Sequence, residues 1–240
     1  MWQVGAVAFR EWGQPSPTGL LPTPGDSLAT LFELVQSGSI FPDVASSLKR
    51  ILFGYAAGVT LALALATISL FSRFFRVFFR QIVEILRPIP PIAFVPLAIL
   101  WFGLGDPSAY FLVAFAAFFP AFTATLAAFD GVDRRYVDSA RTLGAGRMEL
   151  FRSVYWPAAL PGIVAGLRTS LGIAWFVVIV AEMVGAQSGL GYFIQINRLT
   201  LNSKNVLAGM LAIGLIGFTM NWLFWKGVSP FVAWAGSSDD

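Results

Sequence analysis

Long runs without a charged side chain constrain this sequence more than any other feature. Four stretches of 18 to 23 residues are uncharged, and a fifth is interrupted only by Arg168 and Glu182. An α-helix needs about 20 apolar residues to cross the roughly 30 Å hydrocarbon core of a bilayer. Each run therefore predicts a membrane-spanning helix. The runs are Ile51–Leu70, Pro88–Gly105, Pro107–Phe129, Gly162–Met183 and Asn205–Trp225.

The predicted fold class is an all-α polytopic membrane protein with five to six transmembrane helices and a cytoplasmic helix-turn-helix hairpin. Composition agrees, since 57% of the residues are hydrophobic and only 12% are charged. A soluble domain carries about a quarter charged residues, and five buried helices would leave it almost no polar surface. We expect a transmembrane domain over residues 45–226. Its spans are predicted at about 48–70, 84–104, 107–129, 162–185 and 205–225.

The segments outside this domain carry weaker signals. Met1–Phe9 is apolar but too short to cross a bilayer, so residues 1–44 are predicted to be an N-terminal stub and a periplasmic segment. Helical spacing of apolar residues predicts an amphipathic helix over Asp26–Gln36 on the outer surface. These residues are Leu28, Leu31, Phe32 and Val35. Residues 227–240 are predicted to form a C-terminal tail.

The basic residues predict the orientation of the spans. Nine Lys and Arg residues lie in alternate loops on one side, against five on the other. By the positive-inside rule the side with nine is cytoplasmic, and the net charge of +3 indicates topology instead of nucleic-acid binding. The largest cytoplasmic feature is then the loop at residues 130–161. The nine are Arg73, Arg76, Arg80, Arg134, Arg135, Arg141, Arg147, Arg152 and Lys226.

The sequence contains no cysteine and no histidine. It therefore lacks disulfides, thiol nucleophiles and the usual zinc ligands, and we predict neither a catalytic residue nor a metal site. A membrane enzyme is disfavoured for the same reason. The glycine-rich phosphate-binding motifs of ATPases are also missing. Transport by this chain must draw its energy from another polypeptide or from an ion gradient.

The loop at residues 130–161 has a helical pattern of its own. Asp133 is a good N-cap for a first short helix, and Gly144–Gly146 is a helix stop. A second short helix is expected from Arg147 to about Tyr155. Together they predict a helix-turn-helix hairpin outside the bilayer.

Three apolar side chains of this hairpin are predicted to be exposed: Leu143, Met148 and Phe151. Isolated domains avoid exposing such a patch, so a partner protein is expected to cover it. The alternative is that the hairpin folds back onto the membrane helices of the same chain.

Residue spacing in the hairpin resembles the coupling signature of ABC importer permeases. The pattern here is Asp138-Ser139-Ala140, three residues, Gly144, nine residues, Val154, one residue and Trp156-Pro157. The family has Glu-Ala-Ala, Gly, Ile and Leu-Pro at the same spacing. The resemblance implies that the hairpin docks onto a separate ATPase. It assigns the contact to Asp138, Ser139, Ala140, Arg141, Leu143, Gly144, Met148, Phe151 and Pro157.

Other segments resemble the nitrate, sulfonate, taurine and bicarbonate branch of these permeases, namely Leu86–Pro91, Leu100–Gly105 and Ala181–Gly191. The resemblance implies import of a small anion or organosulfonate across the bacterial inner membrane. Implied partners are two ATP-binding subunits, a second permease copy, a periplasmic or lipid-anchored substrate-binding protein and membrane lipid. ATP and magnesium would be bound by the ATPase, and this chain would hold no cofactor and no nucleic acid. The alternative is a secondary transporter driven by an ion gradient.

Several residues are candidates for the translocation pathway. Prolines at 88–96 interrupt the helix, and freed backbone groups at membrane depth are tolerated where they line a cavity or are buried in protein. A kinked packing helix is an equal alternative there. For the intramembrane Glu182, the alternatives are a place on the pathway, a pairing with Arg168 or Arg87, and a lock between helices. The candidates are Arg87, Pro91, Pro96, Glu182 and Ser188.

Overall fold

A computed structural model describes residues 22–232, and within that range every regular element is helical, which confirms the predicted fold class. The predicted stub at Met1–Phe9 and most of the predicted tail lie outside the described residues. The helices are α1 (Pro24–Gln36), α2 (Phe41–Phe71), α3 (Arg73–Leu86), α4 (Val95–Phe102), α5 (Asp106–Asp130), α6 (Arg134–Thr142), α7 (Arg147–Leu150), α8 (Trp156–Gly185), α9 (Leu190–Leu199) and α10 (Ser203–Val232).

Four helices of the described chain are long and apolar enough to cross a membrane. They are α2, α5, α10 and the continuous helix Arg147–Gly185, of which α8 is the main part. α3 and residues 91–102 are bent by 84° relative to each other, and they add a fifth crossing only if the two are counted together as one broken span. Four of the five runs therefore correspond to unbroken spans, and the fifth falls in this bent segment.

The span predicted at residues 84–104 is not a single helix. α3 ends at Leu86, Pro90 is extended with φ −64° and ψ 135°, and a 3-10 turn over Pro91–Phe94 precedes α4. Proline has no backbone N–H and pushes the residue before it out of the α-helical region. The closely spaced prolines from Pro88 onwards therefore break the helix that hydrophobicity alone predicts.

α5 lies between α2 and α8 at the centre of the packing. Gly58 of α2 lies against the backbone of Ala114, and Gly166 of α8 lies against Ala124. Small residues at such crossings let helix backbones approach closely, which is how helices associate in lipid. Large buried side chains fill the remaining space, among them Phe122, Leu126, Phe129 and Ile163.

The predicted amphipathic helix is present as α1. Its N-terminus has a capping box, in which the Thr23 hydroxyl accepts from the Asp26 N–H at 3.2 Å and the Asp26 carboxylate accepts from the Thr23 N–H at 3.1 Å. Leu31 and Leu34 pack towards α10, whereas Phe32 is exposed. This places α1 beside the membrane domain at the N-terminal end of α2, which is the predicted outer side.

Candidate functional sites

The hairpin begins with α6, which is capped by Asp133. The Asp133 carboxylate accepts a hydrogen bond from the Arg135 N–H at 2.9 Å, as expected of an aspartate at this position. Val137 on α6 and Leu150 on α7 are both buried and anchor the base of the hairpin.

Gly144 makes the turn of the hairpin. Its φ of +87° is in the left-handed region that side chains disfavour, so glycine is required for this geometry. The Gly144 N–H donates to the Arg141 carbonyl at 2.9 Å, and the Ala145 N–H donates to the Ala140 carbonyl at 3.0 Å. This pair of bonds is a Schellman motif, which ends α6 and fixes the direction in which the chain leaves it.

The second helix of the hairpin is not the separate element that the sequence predicts. α7 continues through one π-helical turn, Phe151–Tyr155, directly into α8. In that turn the Trp156 N–H donates to the carbonyl of Phe151, five residues earlier. Pro157 lies in the first turn of α8, a position where a missing backbone N–H is tolerated. It therefore does not end the helix. Residues 147–185 therefore form one continuous helix from the hairpin into the membrane domain.

The hairpin tip is the part that remains uncovered. Leu143 is 88% exposed and Met148 is 55% exposed. Asp138, Ser139 and Arg141 are also exposed on α6, where Asp138 and Arg141 approach to 3.9 Å, whereas Ala140 and Pro157 are half-buried. Most of the residues that the resemblance assigns to the ATPase contact are thus accessible on one protrusion.

Phe151 corrects the prediction of an exposed apolar patch. It is half-buried, and its ring lies 5.5 Å from that of Phe71, 6.2 Å from that of Phe129 and 5.8 Å from that of Trp156. The helical continuity of α7 and α8 turns Phe151 towards the protein's own core. The base of the hairpin therefore packs on the chain's own helices, as the second alternative expects. Its tip is uncovered, and a partner at the tip stays a prediction.

A cleft of about 790 Å³ lies between the residue 87–91 segment, α5 and α8. Small residues form much of its wall, together with the hydroxyl-bearing Thr123 and Thr169. Arg87 is the charged residue among those lining it. Within residues 22–232 the Arg87 guanidinium has no ion-pair or hydrogen-bond partner, because Glu84 is paired with Arg80 at 3.0 Å instead.

The five pathway candidates do not lie together. Arg87 and Pro91 line the cleft, whereas Pro96 is exposed on α4. Glu182 and Ser188 lie elsewhere, in a buried polar cluster at the predicted outer end of the protein.

Glu182 is completely buried and is paired with Arg50 of α2. Its Oε1 accepts from the Arg50 guanidinium at 2.9 Å. Its Oε2 accepts from the Ser47 hydroxyl at 2.8 Å and from the Gly191 N–H at 3.0 Å. The carboxylate therefore has partners on both oxygens, as a buried charge requires.

The partners that the sequence suggested for Glu182 are wrong. Arg168 donates to the Asn221 side chain at 2.9 Å, and its guanidinium lies 5.3 Å from the ring centre of Trp225. Arg87 lies at the cleft. Both are too far towards the predicted cytoplasmic ends of their helices to reach Glu182.

Arg50 is the centre of this cluster, with only 3% of its side chain exposed. It donates to the Asp106 carboxylate at 2.8 Å, to the Ser188 carbonyl at 2.6 Å and to the Ser188 hydroxyl at 2.8 Å. The planar guanidinium has several donors in a fixed arrangement, so one side chain joins α2 to α5, α8 and the loop before α9.

α2 also binds the start of α9. The Gly189 N–H donates to the Asp43 carboxylate at 2.8 Å, and the Leu190 N–H donates to the Ser47 hydroxyl at 2.9 Å. The first N–H groups of a helix have no acceptor within that helix, and here two side chains of α2 act as the acceptors. We call these groups the outer cluster: Asp43, Ser47, Arg50, Asp106, Glu182 and Ser188–Gly191.

The sequence prediction missed Asp43, Ser47, Arg50 and Asp106. In the sequence, Arg50 is one of the five positive residues on the predicted outer side. A signal was present, since Asp43, Ser47 and Arg50 are spaced by four and three residues and so share one face of a helix.

Comparison with known proteins places these features in a family. Residues 54–224 match the family model described as binding-protein-dependent transport system inner membrane component. An ABC transporter permease protein of Brucella melitensis is 34% identical over 231 residues, which are 95% of this chain and 94% of that protein. SsuC of Bacillus subtilis, a permease protein named for aliphatic sulfonates transport, is 36% identical over 82% of this chain and 72% of its own length.

A solved structure has the same fold. The inward-facing MetNI methionine ABC transporter contains a chain that aligns with a TM-score of 0.65 at 20% identity, over 80% of this chain and 94% of its own. The matched family model covers the whole hairpin and the outer ends of α5, α8 and α10, whereas the outer end of α2 lies before its first residue. This chain therefore belongs to the family of binding-protein-dependent transport system inner membrane components.

Proposed function

We propose that this chain is the membrane-spanning permease subunit of an ATP-driven importer in the bacterial inner membrane, carrying a small anion or organosulfonate. The observation that carries the proposal is the hairpin tip, where Leu143 and Met148 are exposed on either side of the fixed turn at Gly144. The relative named for aliphatic sulfonates transport supports the substrate class.

The hairpin has the properties of a lever that fits into a groove of a cytoplasmic partner. Its base is held by Val137 and Leu150, and its second helix is continuous with α8 as far as Gly185. A push on the tip would therefore move a membrane helix directly. The exposed Arg141 is available for charge-assisted hydrogen bonds to the partner.

Since the sequence lacks phosphate-binding motifs, ATP and magnesium would be bound by that partner. Two ATP-binding subunits would serve two permease copies, one hairpin each. This chain does not enclose the cleft beside Arg87, and a second permease copy facing it would supply the missing wall of a pathway. A periplasmic or lipid-anchored binding protein would deliver the substrate.

Leu143→Asp tests the docking of the hairpin. The aspartate replaces an apolar contact at the tip without touching the protein's own core, so the chain should fold normally. We expect co-purification with the ATPase subunit to fall by more than tenfold, because a buried apolar anchor contributes roughly 2 kcal/mol or more to such interfaces. Pull-down of the tagged ATPase from detergent-solubilised membranes measures this.

Leu201→Asp is the matched control. Leu201 is also an exposed leucine at a helix end, but it lies beyond α9 on the predicted outer side. Its φ of 57° is one that aspartate tolerates. Wild-type pull-down by the Leu143→Asp variant would refute ATPase docking at this tip.

Arg87→Gln tests the cleft as part of the pathway. The unpaired guanidinium is positioned to attract an anion, so we expect the initial rate of labelled alkanesulfonate uptake to fall about tenfold. Association with the ATPase should be unchanged, since Arg87 lines the cleft and is not part of the hairpin.

The control for Arg87 is Arg168→Gln, because Arg168 is an exposed arginine that already has Asn221 and Trp225 as partners. It should retain most of the uptake. Equal uptake by the Arg87→Gln variant and the wild type would remove Arg87 from the pathway.

The alternative of an ion-gradient-driven transporter gains no support from the site. Within residues 22–232, Glu182 is the acid well inside a span, and it is already paired with Arg50. Uptake that survives ATP depletion but stops with an uncoupler would favour that alternative.

A further inference from the structure

The outer cluster buries a charged pair within a network of polar contacts. Burying ionised groups is costly, and well-packed apolar residues often stabilise a protein as much as a buried ion pair does. Here the charges of Arg50 and Glu182 are nevertheless buried, and among the described residues no buried side-chain nitrogen or oxygen lacks a partner. What such a network provides is a single fixed geometry for the elements that it joins.

The elements joined are the outer ends of three membrane helices and the start of α9. Arg50 joins α2 to Asp106 at the start of α5 and to Glu182 near the end of α8. Asp43 and Ser47 hold the N–H groups of Gly189 and Leu190. The loop that leads into α9 is therefore attached by both its backbone and its Ser188 side chain.

The opposite end of α9 is attached to α10. The Asn205 side chain of α10 donates to the Asn197 side-chain oxygen at 2.8 Å. In the turn between the two helices, the Asn202 N–H donates to the Asn197 carbonyl at 2.8 Å. Leu199 and Leu201 remain about two-thirds exposed at this end, on the predicted outer side. α9 is thus a short surface helix that is fixed at both ends and presents an uncovered apolar edge.

We propose that the outer cluster fastens α9 to α2, α5 and α8 throughout the transport cycle, so that the outer end of each permease copy moves as one unit. α9 then serves as a rigid platform on which the substrate-binding protein acts, and a push on it reaches the membrane helices through Arg50. This inference rests on the proposed function for the existence of a transport cycle. Arg50, Asp43 and Ser47 are positioning residues in it.

Distance measurement between two spin labels tests the rigidity directly. The chain contains no cysteine, so Ala45→Cys on α2 and Arg198→Cys on α9, away from the apolar edge, can be labelled without background from the permease. Both positions are exposed. The labelled permease is mixed with an excess of unlabelled permease, so that each complex of permease, ATPase and binding protein holds at most one labelled copy. We expect one narrow distance distribution that is the same without nucleotide and with ATP trapped. A distribution that shifts between the two states would overturn the proposal.

The Asp43→Ala/Ser47→Ala variant tests the attachment itself, because it removes the acceptors for Gly189 and Leu190. We expect a broadened label distance and a rise of about tenfold in the concentration of binding protein that gives half-maximal uptake. The maximal rate should change little, which distinguishes lost positioning from general damage to the fold.

Two controls accompany this variant. Ser46→Ala removes a neighbouring serine that bonds only within α2, to the Pro42 carbonyl at 2.9 Å, and should behave as wild type. Asp43→Asn/Ser47→Thr keeps an acceptor at each position and should restore the narrow distribution. Wild-type distances and half-saturation in the alanine variant would contradict the proposal.

Failure of the proposed function has a different signature. If this chain is not an ATPase-coupled permease, the wild-type chain will not co-purify with the tagged ATPase. That result does not depend on the distances between the labels. Should the alanine variant not fold, the wild-type distance in the two nucleotide states still decides the question.

Discussion

Replacing Arg50 with methionine is expected to lower the free energy of unfolding by about 3–5 kcal/mol. Methionine fills much of the same volume but leaves the fully buried Glu182 without its cation. Breaking a buried ion pair from one side costs this much because the remaining charge is uncompensated. The thermal midpoint of the purified chain, followed by loss of the monodisperse size-exclusion peak in detergent, measures the effect.

A double variant separates the pair from the rest of the cluster. Glu182→Gln keeps one side-chain oxygen and carries no charge, and Ser47 and Gly191 both donate to the same oxygen of Glu182. Arg50→Met/Glu182→Gln should therefore recover much of the lost stability. The matched single control is Lys49→Met. Lys49 also pairs with Asp106, at 3.1 Å, but its side chain is 56% exposed, and such pairs contribute at most about 1 kcal/mol.

The opposite result would have a clear meaning. If Arg50→Met melted as the wild type does, Glu182 would not depend on Arg50, and the outer cluster would not be the fixed centre described above. If the double variant were as unstable as Arg50→Met, the loss would come from the other Arg50 contacts, to Asp106 and Ser188.

The membrane helices were predictable because their signal is local. An uncharged run of about 20 residues identifies a span without any knowledge of its neighbours. α2, α5 and α10 follow this rule, and the run of α8 departs from it only at Arg168 and Glu182. The break at residues 84–104 has a local cause too. Hydrophobicity predicts one span there, and the prolines at 88–96 predict the interruption that the structure shows.

The prediction for the hairpin is correct for its first half and wrong for part of its second half. Asp133 and Gly144 act within a few residues of their own positions, so capping rules identified α6 and its turn. The direction of Phe151 depends on the π-helical turn and on Phe71, 80 residues earlier in the chain. No local pattern shows that contact.

The outer cluster could not be assembled from the sequence for the same reason. Arg50 and Glu182 are 132 residues apart, and their pairing depends on how α2 and α8 both pack against α5. Glu182 stood out because it lies inside a span. Arg50 did not, since a basic residue at the end of a span is ordinary and Lys49 beside it is indeed exposed.

The contact between α2 and α5 gives the second large effect. A Cβ on Gly58 would overlap the backbone carbonyl of Ala114, and backbone atoms of a packed helix cannot move aside as the end of a side chain can. We therefore expect Gly58→Val to separate α2 from α5 and to lower the free energy of unfolding by about 3 kcal/mol or more. The thermal midpoint and the yield of monodisperse protein both report this loss.

Gly214→Val is the matched control, because Gly214 also lies within a long membrane helix but has no atom within 4 Å of its added Cβ. Valine favours a helix more than glycine does, by a few tenths of a kcal/mol, so this variant should be as stable as the wild type or slightly more so. The same small gain applies at Gly58 and is too small to offset the overlap. Equal midpoints for the two valine variants would mean that α2 and α5 are not in backbone contact at Gly58. Arg50 and Asp106 would then be joined across a looser pair of helices, and the outer cluster would lose the rigid support on which its proposed role depends.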